Sequence, residues 1–175
     1  TAFYPGGGGQ PHDLGHVSIG NADLPVTRVW RQEEQVWHAI TGPLPEVGAS
    51  VTGNLDWQRR YQLMRTHTAL HILCGVVWRD YGAQVTGGNM EPLQGRMDFE
   101  FAALQKDLVQ AIEASIHAEV QQARDIRVAI LPRATAFQIP DLIRTKINLL
   151  PEGIAEVRVV DIVGLDLQAD GGTRT

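Results

Sequence analysis

Short apolar runs alternate with polar residues over the first 55 positions of the chain. The runs are HVSIG, PVTRVW, QVWHAI and ASVTGNL, and the residues between them include Gly20-Asn21, Glu33-Glu34 and Gly42-Pro43. A period of two predicts β-strands, and turn residues at such short intervals favour antiparallel pairing. Residues 1–55 are therefore predicted to form a small β-rich subdomain, as a barrel or a curled sheet.

The period changes to that of a helix near Asn54. Over residues 56–81 the apolar side chains recur at helical spacing, at Leu63, Met64, Leu70, Cys74, Val77 and Trp78. Asn54 or Asp56 can act as the N-cap, and Gly82 is placed to end the helix. The pattern predicts one long helix over 56–81.

Strands and helices follow in mixed order over the rest of the chain. The patterns predict a strand over 95–101, a second long helix over 103–124, a strand in RVAIL and a last strand in EVRVVDIV. This order indicates an α+β protein. We expect a β-barrel-like subdomain of residues 1–55 packed on a two-layer α/β core of residues 56–175.

Composition narrows the possible environments and partners. The chain has 43% hydrophobic and 20% charged residues, and none of its apolar runs approaches the roughly 18 residues of a membrane-spanning helix. We therefore expect no membrane partner. The single cysteine, Cys74, leaves no internal disulfide framework and favours the reducing cytoplasm. A net charge of −5 means that a nucleic acid would have to bind at a local basic patch.

The segment R-T-H-T-A-L-H places two histidines, His67 and His71, inside the first predicted helix. Residues four apart lie on the same face of a helix, so both imidazoles can reach one ion. Zinc suits imidazole nitrogen, and H-x-x-x-H on a helix is a known geometry for it. Two histidines at this spacing are also compatible with ordinary core or surface residues. A catalytic zinc site needs a third protein ligand.

Cys74 is a poor third ligand despite lying on the same helix face. It is separated from His67 by roughly 10.5 Å along the axis at about 1.5 Å per residue. Zinc bonds are only about 2.0 to 2.3 Å long, so the three side chains would not converge. Cys74 is predicted to be a small buried apolar residue. The remaining histidines, at positions 12, 16, 38 and 117, show no metal-ligand spacing.

Three motifs together resemble a known family. T-A-F-Y-P-G-G-G-G-Q, R-T-H-T-A-L-H and L-D-L-Q-A-D-G-G-T span nearly the whole chain and are similar to the editing domain of alanyl-tRNA synthetase and its free-standing AlaX-type relatives. G-R-M-D-F-E-F resembles the strand that follows the metal-binding helix in that family. The resemblance implies a zinc-dependent cytoplasmic hydrolase that acts in trans to remove serine or glycine from mischarged tRNA(Ala).

The same resemblance implies a ligand set, and this chain departs from it. The family uses H-x-x-x-H and a late C-G-G-T-H, whereas this chain has D-G-G-T-R, with Asp170 and Arg174 at the last two ligand positions. A carboxylate can bind zinc, but a guanidinium cannot. Three interpretations stay open: a three-ligand site of His67, His71 and Asp170, the loss of zinc, or a chain in which Arg174 does not natively follow Thr173. We favour the third, because members of the family continue past this motif.

The predicted catalytic residues are the predicted metal ligands, His67, His71 and Asp170. An aminoacyl ester is activated enough for a metal-bound water with a pKa near about 7 to attack it. The metal could equally hold the amino group or the ribose of the substrate and orient a separate water. Thr68 stands where H-E-x-x-H proteases carry glutamate, which argues against peptide hydrolysis.

The predicted substrate-binding residues are Gln10, Thr86, Gly171 and Gly172. Gln10 follows a run of four glycines that faces the pocket in the family, although the run could equally be a tight loop. Thr86 could read the hydroxyl of serine, or be an ordinary polar residue of a strand or turn.

Five basic residues are candidates for a phosphate-binding patch, namely Arg59, Arg60, Arg65, Arg144 and Lys146. The same charges would serve as a solvated surface. The alternative to an enzyme is a metal-free, inactive relative of the editing domain that binds tRNA. The oligomeric state does not follow from the sequence.

Overall fold

The N-terminal strands form one antiparallel sheet. A computed structural model describes residues 2–101, 106–148, 150 and 153–174. The sheet has the order β3-β2-β1-β4, with β1 Gly15–Ile19, β2 Ala22–Gln32, β3 Gln35–Ile40 and β4 Thr52–Leu55. Its core contains Phe3, Val17, Val26 and Val29. The predicted strands are present, while the closure of this sheet into a barrel stays a prediction.

A 25-residue helix, α1 Trp57–Tyr81, follows the sheet directly. The carboxylate of Asp56 caps it by accepting from the backbone N–H of Arg59 at 3.0 Å. Gly82 ends it with a left-handed φ of 64°, and its N–H donates to the carbonyl of Trp78. Glycine adopts this conformation at little cost, which is why the chain turns away here. The predicted span and both predicted caps agree with the structure.

The remaining elements follow α1 along the chain. They are the hairpin β5 Val85–Glu91 and β6 Gln94–Phe99, the helices α2 Lys106–Gln121 and α3 Arg133–Ala136, and a sheet of order β7-β8-β9 with β7 Ile126–Pro132, β8 Glu156–Ile162 and β9 Asp166–Ala169. The predicted start of the second helix, at 103–105, lies outside the described residues. The chain is therefore an α+β protein, as predicted. Within its described part, none of the helices has the length and apolar character needed to cross a membrane.

Strands β5 and β9 were missing from the sequence prediction. Gly87 and Gly88 weaken the strand signal in β5, and β9 is only four residues long. Both strands pack against α1, together with β6 and α2. Gly75 lets the helix approach the β8–β9 turn closely, since a Cβ there would lie 2.9 Å from Leu165 Cγ. The middle of α1 is thus held between the hairpin and the end of the C-terminal sheet.

Candidate metal centre

Three predicted ligands converge where α1 meets the end of β9. His67 and His71 are 5% and 8% exposed, and their ring centroids are 5.4 Å apart. Asp170 follows β9 directly and reaches them from the other side. His67 Nε2 lies 3.5 Å from Asp170 Oδ1, and one ligand atom from each of the three residues lies within 4.8 Å of the others. The helix therefore supplies two donors and the end of the sheet supplies the third.

Gln10 fixes which nitrogen of His67 is free. The backbone N–H of Thr173 can only donate, and it donates to Gln10 Oε1 at 3.0 Å. Gln10 Nε2 donates to the hydroxyl of Thr173 at 2.7 Å, which agrees with this orientation of the amide. Because Oε1 is an acceptor, His67 Nδ1, at 2.9 Å from it, must carry the proton. The lone pair of His67 is then on Nε2, the atom that faces Asp170.

Asp166 does the same for His71. Its side chain is fully buried, and its Oδ2 accepts from His71 Nδ1 at 2.7 Å. Arg144 Nη1 lies 2.9 Å from the other oxygen, and Gln168 Nε2 donates to both oxygens. An oxygen that also accepts from Gln168 acts as the acceptor here, so His71 Nδ1 is the donor of this hydrogen bond and Nε2 is turned away from Asp166. A histidine oriented by a carboxylate in this way is the usual arrangement of zinc-binding histidines.

Burial and neighbouring charges keep His67 and Asp170 in the forms that can bind a metal. Burial, followed by the charge of Arg174, lowers the pKa of His67 to about 3, so its imidazole is neutral. Burial opposes ionisation of Asp170, but neighbouring charges, Arg174 foremost, hold its pKa below the ordinary value. His67 and Asp170 thus each offer a free electron pair at neutral pH.

The donor set fits zinc. A tetrahedral ion with bonds of about 2.1 Å separates its ligand atoms by roughly 3.4 Å, and His67 Nε2 and Asp170 Oδ1 are 3.5 Å apart. Two imidazole nitrogens and one carboxylate oxygen form a normal catalytic zinc set with an open fourth position. The same donors suit other divalent transition metals, so the geometry is compatible with a metal and does not identify the ion.

Comparison with known proteins gives the family. No protein-family model matches the chain. It is 38% identical to the alanyl-tRNA editing protein AlaX-M of Saccharolobus solfataricus over 176 residues, which are 98% of this chain and 73% of that protein. It is 32% identical to AlaX-M of Methanosarcina acetivorans over 99% of this chain and 74% of that protein.

The chain belongs to the alanyl-tRNA editing proteins. It is also 33% identical to the alanine–tRNA ligase of Pyrococcus abyssi, over 99% of this chain but only 19% of that enzyme. The predicted family is confirmed. The predicted enzyme class is confirmed with it, because AlaX editing proteins are aminoacyl-tRNA deacylases.

In this editing protein a cavity of about 1020 Å³ opens beside the three predicted ligands. The described part of its wall includes His67, His71 and Asp170, the glycine loop 6–9, the strand segment 85–90 and the segment 168–172. Strand pairing shifts register between Val85 and Gly87, so Thr86 is the extra residue of a β-bulge. Bulges are common beside active sites, where they redirect a side chain. The cavity therefore brings the predicted Thr86, Gly171 and Gly172 together with the ligands.

Gln10 lies behind His67. It is 3% exposed and is not among the described residues of the cavity wall. Its two polar atoms are engaged by His67 and Thr173. The structure therefore gives Gln10 an orienting contact with His67, and its contact with substrate stays a prediction. Asp166 and Gln168 were missed, although polar residues at alternating positions of an apolar strand were a usable signal.

The predicted basic patch is largely occupied by internal ion pairs. Arg60 pairs with Asp13, Arg144 with Asp166, and Lys146 with Glu100. Arg65 is exposed on α1. Arg60 and Arg144 are therefore engaged in buried ion pairs, whereas Lys146 pairs at the surface, and phosphate binding by the five basic residues stays a prediction.

Cys74 is buried, as predicted. Its sulfur accepts from Gln168 Nε2 at 3.2 Å, and burial, with the nearby charge of Asp166, raises its pKa to about 12. A thiol in this state is not a thiolate ligand. The cysteine contributes an apolar surface at the cavity wall.

Proposed function

We propose that this chain is a zinc-dependent deacylase that hydrolyses seryl- or glycyl-tRNA(Ala) in trans. The observation that carries the proposal is the cluster of His67, His71 and Asp170 at the cavity wall, where one ligand atom from each residue lies within 4.8 Å of the others. The relatives that share nearly the whole of this chain are named as alanyl-tRNA editing proteins, which supports tRNA as the partner. Of the interpretations of Arg174, a three-ligand site accounts best for this geometry.

The chemistry required is hydrolysis of an ester. A zinc ion held at this site would supply Lewis-acid polarisation and lower the pKa of water from about 15.7 to about 7. Gln10 and Asp166 hold the two histidines in fixed orientations through hydrogen bonds to their Nδ1 atoms. The cavity is at the upper end of the roughly 300 to 1000 Å³ typical of small-molecule pockets, which suits an aminoacyl group with its ribose.

The proposal includes a division of the chain near Leu55. The β-barrel-like subdomain of residues 1–55 would carry the glycine loop and Gln10, and residues 56–175 would carry the metal-binding core. Separate apolar clusters support this division, because Phe3, Val17, Val26 and Val29 form one cluster and Leu63, Leu70 and Met90 form another. The loop and the core meet at the cavity.

Zinc content and deacylation together test the function. The purified protein is expected to bind about one zinc per chain and to deacylate seryl- or glycyl-tRNA(Ala) faster than correctly charged alanyl-tRNA(Ala). The measurements are metal analysis after dialysis and the release of labelled amino acid from each tRNA. A protein that takes up no zinc and hydrolyses none of these esters would refute the proposal.

The second candidate function is tRNA binding without catalysis. Arg174 favours it, because a buried guanidinium beside Asp170 supplies a positive charge at the site without a metal. In that case the protein would bind tRNA(Ala) but would contain no zinc and would leave the ester intact. The same two measurements, with a binding assay added, separate the candidates.

Asp170 is expected to control zinc affinity through the chemistry of its side chain. Asp170→Asn should weaken zinc binding, because a neutral amide is a poorer ligand than a carboxylate. Asp170→Cys should preserve or tighten binding, since thiolate is a strong zinc ligand. Zinc affinity is measured by competition with a chromophoric chelator. Weaker binding by a folded Asp170→Cys protein would show that this position is not at the metal.

Thr86 is expected to separate serine from glycine as substrates. Thr86→Val keeps the shape but deletes a hydroxyl, which removes about 0.5 to 1.5 kcal/mol of hydrogen bonding to a serine side chain. Removal of serine should slow several-fold, and removal of glycine, which has no hydroxyl, should hardly change. The two rates are measured side by side on tRNA(Ala). Equal slowing of both would assign Thr86 to the structure of the bulge instead.

A further inference from the structure

The two oxygens of Asp170 have different surroundings. Oδ1 faces the histidines and lies 3.5 Å from His67 Nε2. Oδ2 accepts from the backbone N–H of Gly172 at 3.0 Å and lies 2.8 Å from Arg174 Nη2 and 3.3 Å from Arg158 Nη1. The carboxylate is therefore held by one oxygen while the other points to the ligand cluster.

Arg174 lies behind Asp170 rather than in the cavity. Its side chain is 3% exposed, and the described wall of the cavity includes Asp170 but not Arg174. Arg158 is more open, with 32% of its side chain exposed, and also donates to the carbonyls of Asp170 and Gly172. Of the two guanidinium groups, the buried one makes the shorter contact with the carboxylate.

We infer that Arg174 is a positioning residue that anchors Oδ2 of Asp170 and so presents Oδ1 to the metal as a single-oxygen ligand. The inference rests on the proposed metal site of His67, His71 and Asp170. A guanidinium cannot bind the metal itself, so the role of Arg174 would be to hold the residue that does. Asp170 and Arg174 then work as one unit, in which the arginine makes a carboxylate suitable for a site that binds an ion through one oxygen.

The charge of Arg174 acts in the opposite direction from its anchoring. The guanidinium groups of Arg144, Arg158 and Arg174 surround the carboxylates of Asp166 and Asp170, so an incoming cation is repelled as well as attracted. Arg174 is paired directly with Asp170, which offsets much of its field at the metal position. We therefore expect anchoring to dominate, and the two effects can be separated by experiment.

The separation uses Arg174→Gln in two backgrounds. In the native background, loss of the anchor should weaken zinc binding by about ten- to a hundredfold, the usual cost of losing a residue that orients a ligand. In the Asp170→Cys background a thiolate has one donor atom and needs no second atom held. There Arg174→Gln should leave zinc affinity unchanged or tighten it, because only the repulsion is removed.

Zinc affinity is measured on the four proteins with a chromophoric chelator, and circular dichroism verifies the fold. Arg124→Gln is the matched control, since Arg124 pairs with Glu119 and with the carbonyl of Val163 away from the site. It should leave zinc affinity unchanged. Arg174→Lys, which keeps the charge but not the planar fork, should fall between the native protein and Arg174→Gln.

The outcomes distinguish the inference from the proposed function. Tighter zinc binding by Arg174→Gln in the native background would show that Arg174 competes with the metal and would overturn the inference. An equal loss in both backgrounds would show a general structural role and would overturn it too. If the native protein binds zinc and every Arg174 variant binds it with the same affinity, the anchor is refuted and the metal site is kept. Native protein that binds no zinc would refute both.

Discussion

Replacing His67 or His71 with alanine is expected to abolish deacylation and to remove zinc. Structural zinc sites are worth about 10 to 16 kcal/mol, so one of three protein ligands contributes roughly 3 to 5 kcal/mol. At about 1.4 kcal/mol per tenfold change, the loss of one ligand lowers zinc affinity about a hundred- to several-thousandfold. Zinc content after dialysis and the rate of release of serine from seryl-tRNA(Ala) measure the two effects.

The fold should survive both substitutions. Without His67, Gln10 Oε1 still accepts from the N–H of Thr173, and without His71, Asp166 is still paired with Arg144 and Gln168. His117→Ala on the polar helix α2 is the matched control and should keep full activity and full zinc content. A His67→Ala or His71→Ala protein that remains folded and fully active would show that the metal assignment is wrong.

The helix that carries the histidines could be predicted because its signals are local. Asp56 and Gly82 mark its ends, and the apolar positions between them have one period. The bulged strand β5 could not be predicted in the same way, since Gly87 and Gly88 have weak strand propensity. That strand exists because it pairs with β6 and packs on α1, which are contacts between distant parts of the chain.

The same distinction applies to the site. H-x-x-x-H on a helix places two histidines on one face by spacing alone, so the pairing of His67 with His71 could be predicted from the sequence. Asp170 came from a resemblance, and no local pattern joins it to residues about 100 positions earlier. Gln10 and Asp166 orient His67 and His71 through hydrogen bonds between residues 57 and 95 positions apart in the chain. Contacts of that kind follow from the packing of the sheet end on α1 and are not visible in any short stretch.

The second large expected effect concerns the late motif D-G-G-T-R, whose two glycines have different surroundings. A Cβ at position 172 would overlap His67 Cε1 and would lie 2.5 Å from its Nδ1 and 2.9 Å from Gln10 Oε1. A Cβ at position 171 would meet nothing within 4 Å. Position 172 therefore requires glycine, because a side chain there would overlap the imidazole of His67. Packing does not require glycine at position 171.

Gly172→Ala is expected to lower the rate of deacylation about a hundredfold, the order of loss caused by displacing a catalytic group by about 1 Å. The methyl group must push His67 away from Gln10 or move the chain that carries Asp170, and either shift separates the ligands. Zinc affinity should fall with the rate. Gly171→Ala, one residue away, is the matched control for zinc affinity and should retain zinc, because a Cβ there meets nothing within 4 Å. The rate and the zinc affinity are measured on both variants. Full activity in Gly172→Ala would contradict the packing of the late motif beneath His67, and loss of activity with retained zinc in Gly171→Ala would confirm its predicted contact with substrate.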